Sequence, residues 1–139
     1  MVTYVLDASA LLRFLLAETG DLRVKAILRL GQTGVSRVVI SAVNWAEVIN
    51  KIAKRHGSTA AEDLKERVLH LGVEIVAASA ERAMRAGLLV AQYKIGYADA
   101  FCAELSRDSP DHVIVTADFD FKLVEHIVTI EFLPTKPVS

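Results

Sequence analysis

The stretch Met1 to Leu12, MVTYVLDASALL, decides how this chain is read: an apolar run ends abruptly in an aspartate, and a small hydroxyl residue follows two positions later. Val2, Tyr4, Val5 and Leu6 suit a fully buried strand, and Ala8 to Leu12 change to helix-forming residues. Asp7 therefore stands at a strand-to-helix corner. In open α/β folds such corners lie at the carboxyl edge of the sheet, where ligands bind. An aspartate closing an otherwise apolar strand is poorly explained by solubility or turn preference.

Outward from that corner, strand and helix patterns alternate. Ser9 to Leu16 and Asp21 to Leu30 read as helices separated by Glu18-Thr19-Gly20, and the Gly31-Gln32-Thr33-Gly34 exit lacks the lysine and hydroxyl of a phosphate-binding loop. Ser36 to Ile40 reads as a second strand. Ser41 is placed to cap a helix from Ala42 to Arg55, with one apolar stripe (Val43, Ala46, Ile49, Ala53) and one polar stripe (Asn44, Glu47, Lys51, Lys54). Thr59 to Leu71 is a further amphipathic helix whose charged run from Glu62 to Arg67 suits a solvated face. Val73 to Val76 supplies a third strand. Ser79 caps a helix through Tyr93, whose face of Ala80, Ala83, Met84, Gly87, Leu88 and Ala91 offers close backbone packing. A helix then starts near Ala98-Asp99 and runs to Arg107, Val113 to Thr116 is the fourth strand, Ala117 to Phe121 a tight corner, and Ile127 to Phe132 the last strand before a Pro-containing tail. No pair of strands is joined by a hairpin turn. The pattern predicts a single domain over residues 1–139, a three-layer α/β/α fold with a mainly parallel central sheet.

Composition narrows the function classes. The 139 residues suffice for a core without disulfides or structural metal, and the lone Cys102 excludes an intramolecular disulfide framework. With 53% hydrophobic residues and a mean hydropathy of +0.36, the chain holds more apolar side chains than a small interior accommodates, so part of them is expected in a dimer or partner interface. Every apolar run is too short to cross a bilayer. A formal net charge of −1 gives no global attraction for nucleic acid, so any polyanion site is local. The start of the sequence has no charged leader with an apolar segment and cleavage site, which makes the cytoplasm the expected compartment.

Four acidic residues can reach the same sheet edge: Asp7 after the first strand, Glu47 in the helix after the second, Asp99 in the first turn of a helix, and Asp118 after the fourth strand. At ~5 Å and an effective dielectric of about 20, each like-charged pair costs roughly 3 kcal/mol, so convergence calls for a cation. Oxygen-rich, nitrogen-poor sites suit Mg²⁺ or Mn²⁺. Such an ion polarises a phosphodiester and acidifies a bound water, and no protein nucleophile is then required. Asp7, Asp99 and Asp118 are the first choice as ligands, and Glu47 is placed for a second metal or the attacking water. Ser9 and Thr116 are placed to orient carboxylates, and Lys51, one helical turn after Glu47, to meet a phosphate oxygen. Arg13, Lys54, Arg82, Arg85 and Lys94 are the other cations available for a phosphate backbone. Each residue also has a structural reading: Glu47 with Lys51 as a surface pair, Asp99 as a helix N-terminal charge, Asp118 and above all Asp120 as turn formers.

Val5-Leu-Asp7-Ala-Ser9-Ala-Leu-Leu, Asn44-Trp-Ala-Glu47-Val, Tyr97-Ala-Asp99-Ala-Phe101 and Val115-Thr116-Ala-Asp118-Phe-Asp120-Phe121 resemble, in order and spacing, the motifs of PIN-domain ribonucleases, specifically the VapC-type toxins. The resemblance covers essentially the whole chain. It implies a Mg²⁺- or Mn²⁺-dependent endoribonuclease, usually a homodimer, held inactive by a cognate antitoxin that inserts a segment near the acidic site. By matching position it implies Asp7, Glu47, Asp99 and Asp118 as the catalytic and metal-binding set, with Ser9 and Thr116 in support; Asp120, within the fourth motif, is counted with the supporting residues. Many members carry a basic residue after the fourth-motif aspartate, where this chain has Phe119. That departure bears on one RNA contact and leaves the acidic set intact.

Other chemistries find little support. His56, His70, His112 and His126 share no zinc-ligand spacing, Cys102 sits on an apolar helix face, and Ser9 and Ser41 lack a nucleophile-elbow context. Two alternatives stand beside the toxin reading. One is a catalytically inactive PIN-like module acting through protein partners, the other a housekeeping RNA-processing nuclease.

Overall fold

The computed structural model describes residues 1–136, so the last part of the expected tail, 137–139, lies outside the described residues. Five strands form one sheet: β1 (Thr3–Leu6), β2 (Arg37–Ser41), β3 (Val73–Val76), β4 (His112–Thr116) and β5 (Thr129–Phe132). Their order is β3-β2-β1-β4-β5, and every neighbouring pair is parallel. The helices are α1 (Ala8–Leu15), α2 (Asp21–Gln32), α3 (Ala42–His56), α4 (Ser58–His70), α5 (Ala80–Tyr93) and α6 (Tyr97–Ser106). A 3₁₀ helix, Phe119–Val124, fills the expected corner after β4. The fifth strand starts two residues later than its apolar run, because the Ile127 and Val128 amides both bond back to the Val124 carbonyl.

The strands are apolar on both sides because both sheet faces are covered. Leu6, Val38, Ile40 and Val115 point into a core shared with buried residues of α1 to α4, among them Leu11, Ile27, Val48 and Val68. Val5, Val39 and Ile114 point the other way, onto Ala86, Leu89, Ala100, Cys102 and Phe121 from α5, α6 and the 3₁₀ helix. This is the three-layer α/β/α arrangement expected from the alternating pattern. Successive connections add β2 and β3 on one side of β1, and then the chain through α5 and α6 returns to pair β4 on the other side. The edge between β1 and β4 is thus the topological switch point.

Two helix faces differ from the expected ones. In α3 the buried residues are Asn44, Val48 and Ile52, while Ala46 is exposed. In α5 the stripe of Ala83, Met84 and Leu88 faces water, with Met84 71% exposed, and Ala86 and Leu89 are buried instead. Both helices carry two apolar stripes, and periodicity alone does not choose between them. The inward stripe of α5 also includes Arg82, which hydropathy counts against burial. Its guanidinium is bonded to Glu104 at 3.1 Å and to Asp108 at 2.7 Å, and Arg85 reaches the same buried Glu104 at 2.9 Å. Arg82 and Arg85 are therefore ion-paired cations that tie α5 to α6, and the expectation that they are free for RNA is corrected.

Gly31 brings α2 close onto β2 of the sheet. A Cβ there would lie 2.9 Å from Val38 Cγ2. No helix among the described residues is long and apolar enough to cross a membrane.

Candidate active site

Asp7 leaves β1 in extended conformation and caps α1 with its own side chain. Its Oδ1 accepts from the Ala10 amide at 3.0 Å and from Ser9 Oγ at 2.7 Å, and its Oδ2 accepts from Thr116 Oγ1 at 2.7 Å. A carboxylate offers about four lone-pair directions, so one on Oδ2 is left. The two hydroxyls also reach across the switch point. Ser9 Oγ accepts from the Ala117 amide at 2.9 Å, and Thr116 Oγ1 accepts from the Asp118 amide at 2.9 Å. The loop carrying Asp118 is therefore locked to the Asp7 corner through Ser9 and Thr116. Asp7 is only 4% exposed, and burial pushes its carboxyl up to about 6 against the three hydrogen bonds that favour its charge.

Asp118 follows β4, and its Oδ1 accepts from the Asp120 amide at 2.9 Å, capping the 3₁₀ helix. The turn chemistry thus belongs to Asp118, and the Asp120 carboxylate is left over for another use. Carboxylate oxygens of Asp99, Asp118 and Asp120 lie within 4.8 Å of one another, the one such set among the described residues. Asp99 stands in the first turn of α6, half-buried. Burial first, then the charges of Asp118, Asp7, Glu47 and Asp120, raise it to about 7. All five acids therefore share one field, although Asp7 and Glu47 fall outside the tightest set. An all-oxygen donor group with so unfavourable a charge balance fits a hard divalent cation such as Mg²⁺ or Mn²⁺.

Glu47 is exposed at its place in α3, and it does not pair with Lys51. Its Oε1 accepts from Asn44 Nδ2 at 3.1 Å, and the same amide nitrogen donates to the Ala98 carbonyl at 3.0 Å. Asn44 is 1% exposed and its Oδ1 has no partner. It joins the first turn of α3 to the residue before Asp99, a role absent from the sequence reading. The signal was present as an asparagine three positions before Glu47, on the same helix face. Lys51, Lys54 and Lys94 are exposed, Arg13 is half-buried, and all four are free of ion pairs among the described residues. Cys102 is fully buried in α6, and burial pushes its thiol well above the ordinary range, which removes it from nucleophilic chemistry.

Carboxylates gathered at the switch point of a parallel α/β sheet, in the motif order given above, define a class. The PIN domain profile matches residues 4–127, and the chain belongs to the PIN domain family. Among solved structures, the fold is shared with a chain of the VapBC2 complex from Rickettsia felis bound to a DNA fragment from its promoter (TM-score 0.71, 18% identity, covering 96% of this chain and 100% of that one). It is shared equally with DNA-bound VapBC from Salmonella typhimurium (0.70, 19%, covering 95% and 98%). A third relative in fold is Mycobacterium tuberculosis VapC20, a sarcin-ricin loop cleaving toxin (0.70, 17%, covering 94% and 99%). At these identities the likeness is one of backbone. No curated protein sequence matches the chain significantly.

Proposed function

We propose that this PIN domain is a metal-dependent endoribonuclease, the toxin of a type II toxin–antitoxin pair acting in the cytoplasm. The observation that carries the proposal is the group of three carboxylates within 4.8 Å at the switch point, with Asp7 and Glu47 in the same field. Asp99, Asp118 and Asp120 would hold Mg²⁺ or Mn²⁺ together with the free lone pair of Asp7 Oδ2, and Glu47 would position a second ion or the attacking water. Such a cation, when bound, polarises the phosphodiester and acidifies water. The chain's own part is rigidity: Ser9 and Thr116 fix Asp7 against the Asp118 loop, and Asn44 fixes Glu47. Lys51 lies in register with Glu47 to meet a phosphate oxygen.

The VapBC complexes among the fold relatives support an antitoxin as the physiological partner. The water-facing stripe of Met84 and Leu88 on α5 supports the expected homodimer.

The test is cleavage of a mixed structured RNA pool with Mg²⁺, with Mn²⁺ and with EDTA, alongside the Asp7→Asn protein. Cutting that needs the metal and disappears in the variant is expected. Full turnover in EDTA or in Asp7→Asn would overturn the assignment.

A further inference from the structure

We infer that Phe119 is a stacking platform for a nucleotide base beside the scissile phosphate, a specificity residue of the site proposed above, and this rests on the ribonuclease reading. Phe119 lies between Asp118 and Asp120, two of the three clustered carboxylates. Its neighbour Phe121 is completely buried, whereas Phe119 keeps 49% of its surface in water. An open ring flanked in sequence by two of the clustered carboxylates is available to a ligand held at that cluster.

The ring is nonetheless held in place. It stacks on Phe132 of β5 with centroids 5.3 Å apart and planes at 26°. Lys122 Nζ lies 5.3 Å from the ring centroid, and Lys122 itself is exposed. A solvated lysine gives up such a contact readily, so its ammonium can move to a phosphate while a base takes the ring. The result is a preordered aromatic surface with a mobile cation beside it, the pairing that single-stranded nucleic-acid sites use.

Electrostatics give the platform its importance. Five acids share the field at the proposed site, and the chain as a whole carries a net charge of −1, so phosphate attraction alone is a poor source of affinity. Stacking is indifferent to that charge. At position 119 the chain offers a contact with the base in place of one with the backbone. The recognised nucleotide must then be unpaired, with its face available.

The experiment starts from an RNA oligonucleotide spanning a site that the wild-type protein cuts in the metal-dependent assay. Binding of the fluorescein-labelled oligonucleotide is measured by anisotropy in the Asp7→Asn background, adding Phe119→Ala, Phe119→Trp or Leu123→Ala. Leu123 is 52% exposed on the same 3₁₀ helix and controls for lost apolar surface. Phe119→Ala is expected to weaken binding about 10-fold, while Phe119→Trp and Leu123→Ala stay within about 2-fold. An abasic replacement next to the cleaved bond is expected to cost the same factor with Phe119 present and nothing more with Phe119→Ala. With Asp7 intact, Phe119→Ala raises KM more than it lowers kcat. Unchanged binding by Phe119→Ala, failure of Phe119→Trp to restore it, or an abasic penalty that persists in Phe119→Ala would overturn the inference and leave the ribonuclease reading standing. Absence of any cutting by the wild-type protein with either metal would overturn both.

Discussion

Asp7 combines three tasks that rarely share one carboxylate: it caps α1, anchors Ser9 and Thr116, and carries charge into a nearly closed corner. Asparagine caps a helix as well as aspartate does, so Asp7→Asn is expected to keep the fold and lose cleavage. Cooperative unfolding of the variant together with no turnover is the diagnostic result. Asn44 gives a second prediction at this scale. Replacing it by leucine removes the bond to Ala98 but also relieves an unpartnered buried oxygen, so stability should change by about 1 kcal/mol or less. Glu47 loses its clamp, and kcat is expected to fall about 10–100-fold with little change in KM. A large fall in Tm with unchanged kcat would make Asn44 purely structural. The acidic residues were legible in the sequence because a carboxylate at the end of an apolar strand has few bland explanations. Asn44 and Phe119 were not, since their meaning lies in burial and exposure: Asn44 sat on a face that reads as polar, and Phe119 in a motif where a neighbouring phenylalanine is core. Asp120 was read mainly as a turn former, and the turn turned out to be closed by the side chain of Asp118.

At the scale of elements, the helices were placed to within a residue or two, helped by the serine caps Ser41 and Ser79, each of which accepts a hydrogen bond from the first turn it precedes; that Asp7 caps α1 in the same way came only from the structure. Which face of α3 and α5 turns inward was not legible. In α5 the decision rests on Arg82 finding Glu104 and Asp108, two partners more than twenty positions away in the chain. Two glycines test the packing directly. Gly31→Ala would set its Cβ 2.9 Å from Val38 Cγ2, and the overpacking, about 1–3 kcal/mol, outweighs the roughly 1 kcal/mol gained in helix propensity. Gly87 in α5 has nothing within 4 Å of the same position, so Gly87→Ala should instead stabilise the protein by about 0.5–1 kcal/mol. Chemical denaturation of both variants checks the pair, and equal effects would mean that α2 does not sit as closely on β2 as the structure has it.

For the molecule as a whole, the acidic edge sets a pH dependence. Asp7 at about 6 and Asp99 at about 7 hold protons, in the folded state, that the unfolded chain with carboxyls near 3.8 has lost. Acidification from about pH 7 toward 5 therefore favours the folded state in EDTA, and ionisation above that window costs stability. Asp108, lowered chiefly by its bond to Arg82, contributes stability that is lost only below this range, as pH falls through its folded value. His112, lowered by burial, opposes the gain, because the unfolded chain takes up its proton first. Urea denaturation at several pH values isolates the Asp7 share as the difference between wild type and Asp7→Asn. A difference that does not change with pH would contradict the raised Asp7 value. Saturating Mn²⁺ should shrink the acid-side gain, because bound cation favours the ionised carboxylates.

The strand order has a consequence in time. Thr116 and Asp7 are 109 positions apart, yet one hydrogen bond joins them, and β1 has no second neighbour until β4 has been made. A chain growing on the ribosome emerges from its N-terminus and passes through a long stage in which β1, β2 and β3 can associate while Asp99, Asp118 and Asp120 are still unsynthesised. No truncated product ending before β4 carries the complete acidic edge. The cell meets the finished carboxylate cluster only after β4 and the residues through Asp120 have been translated.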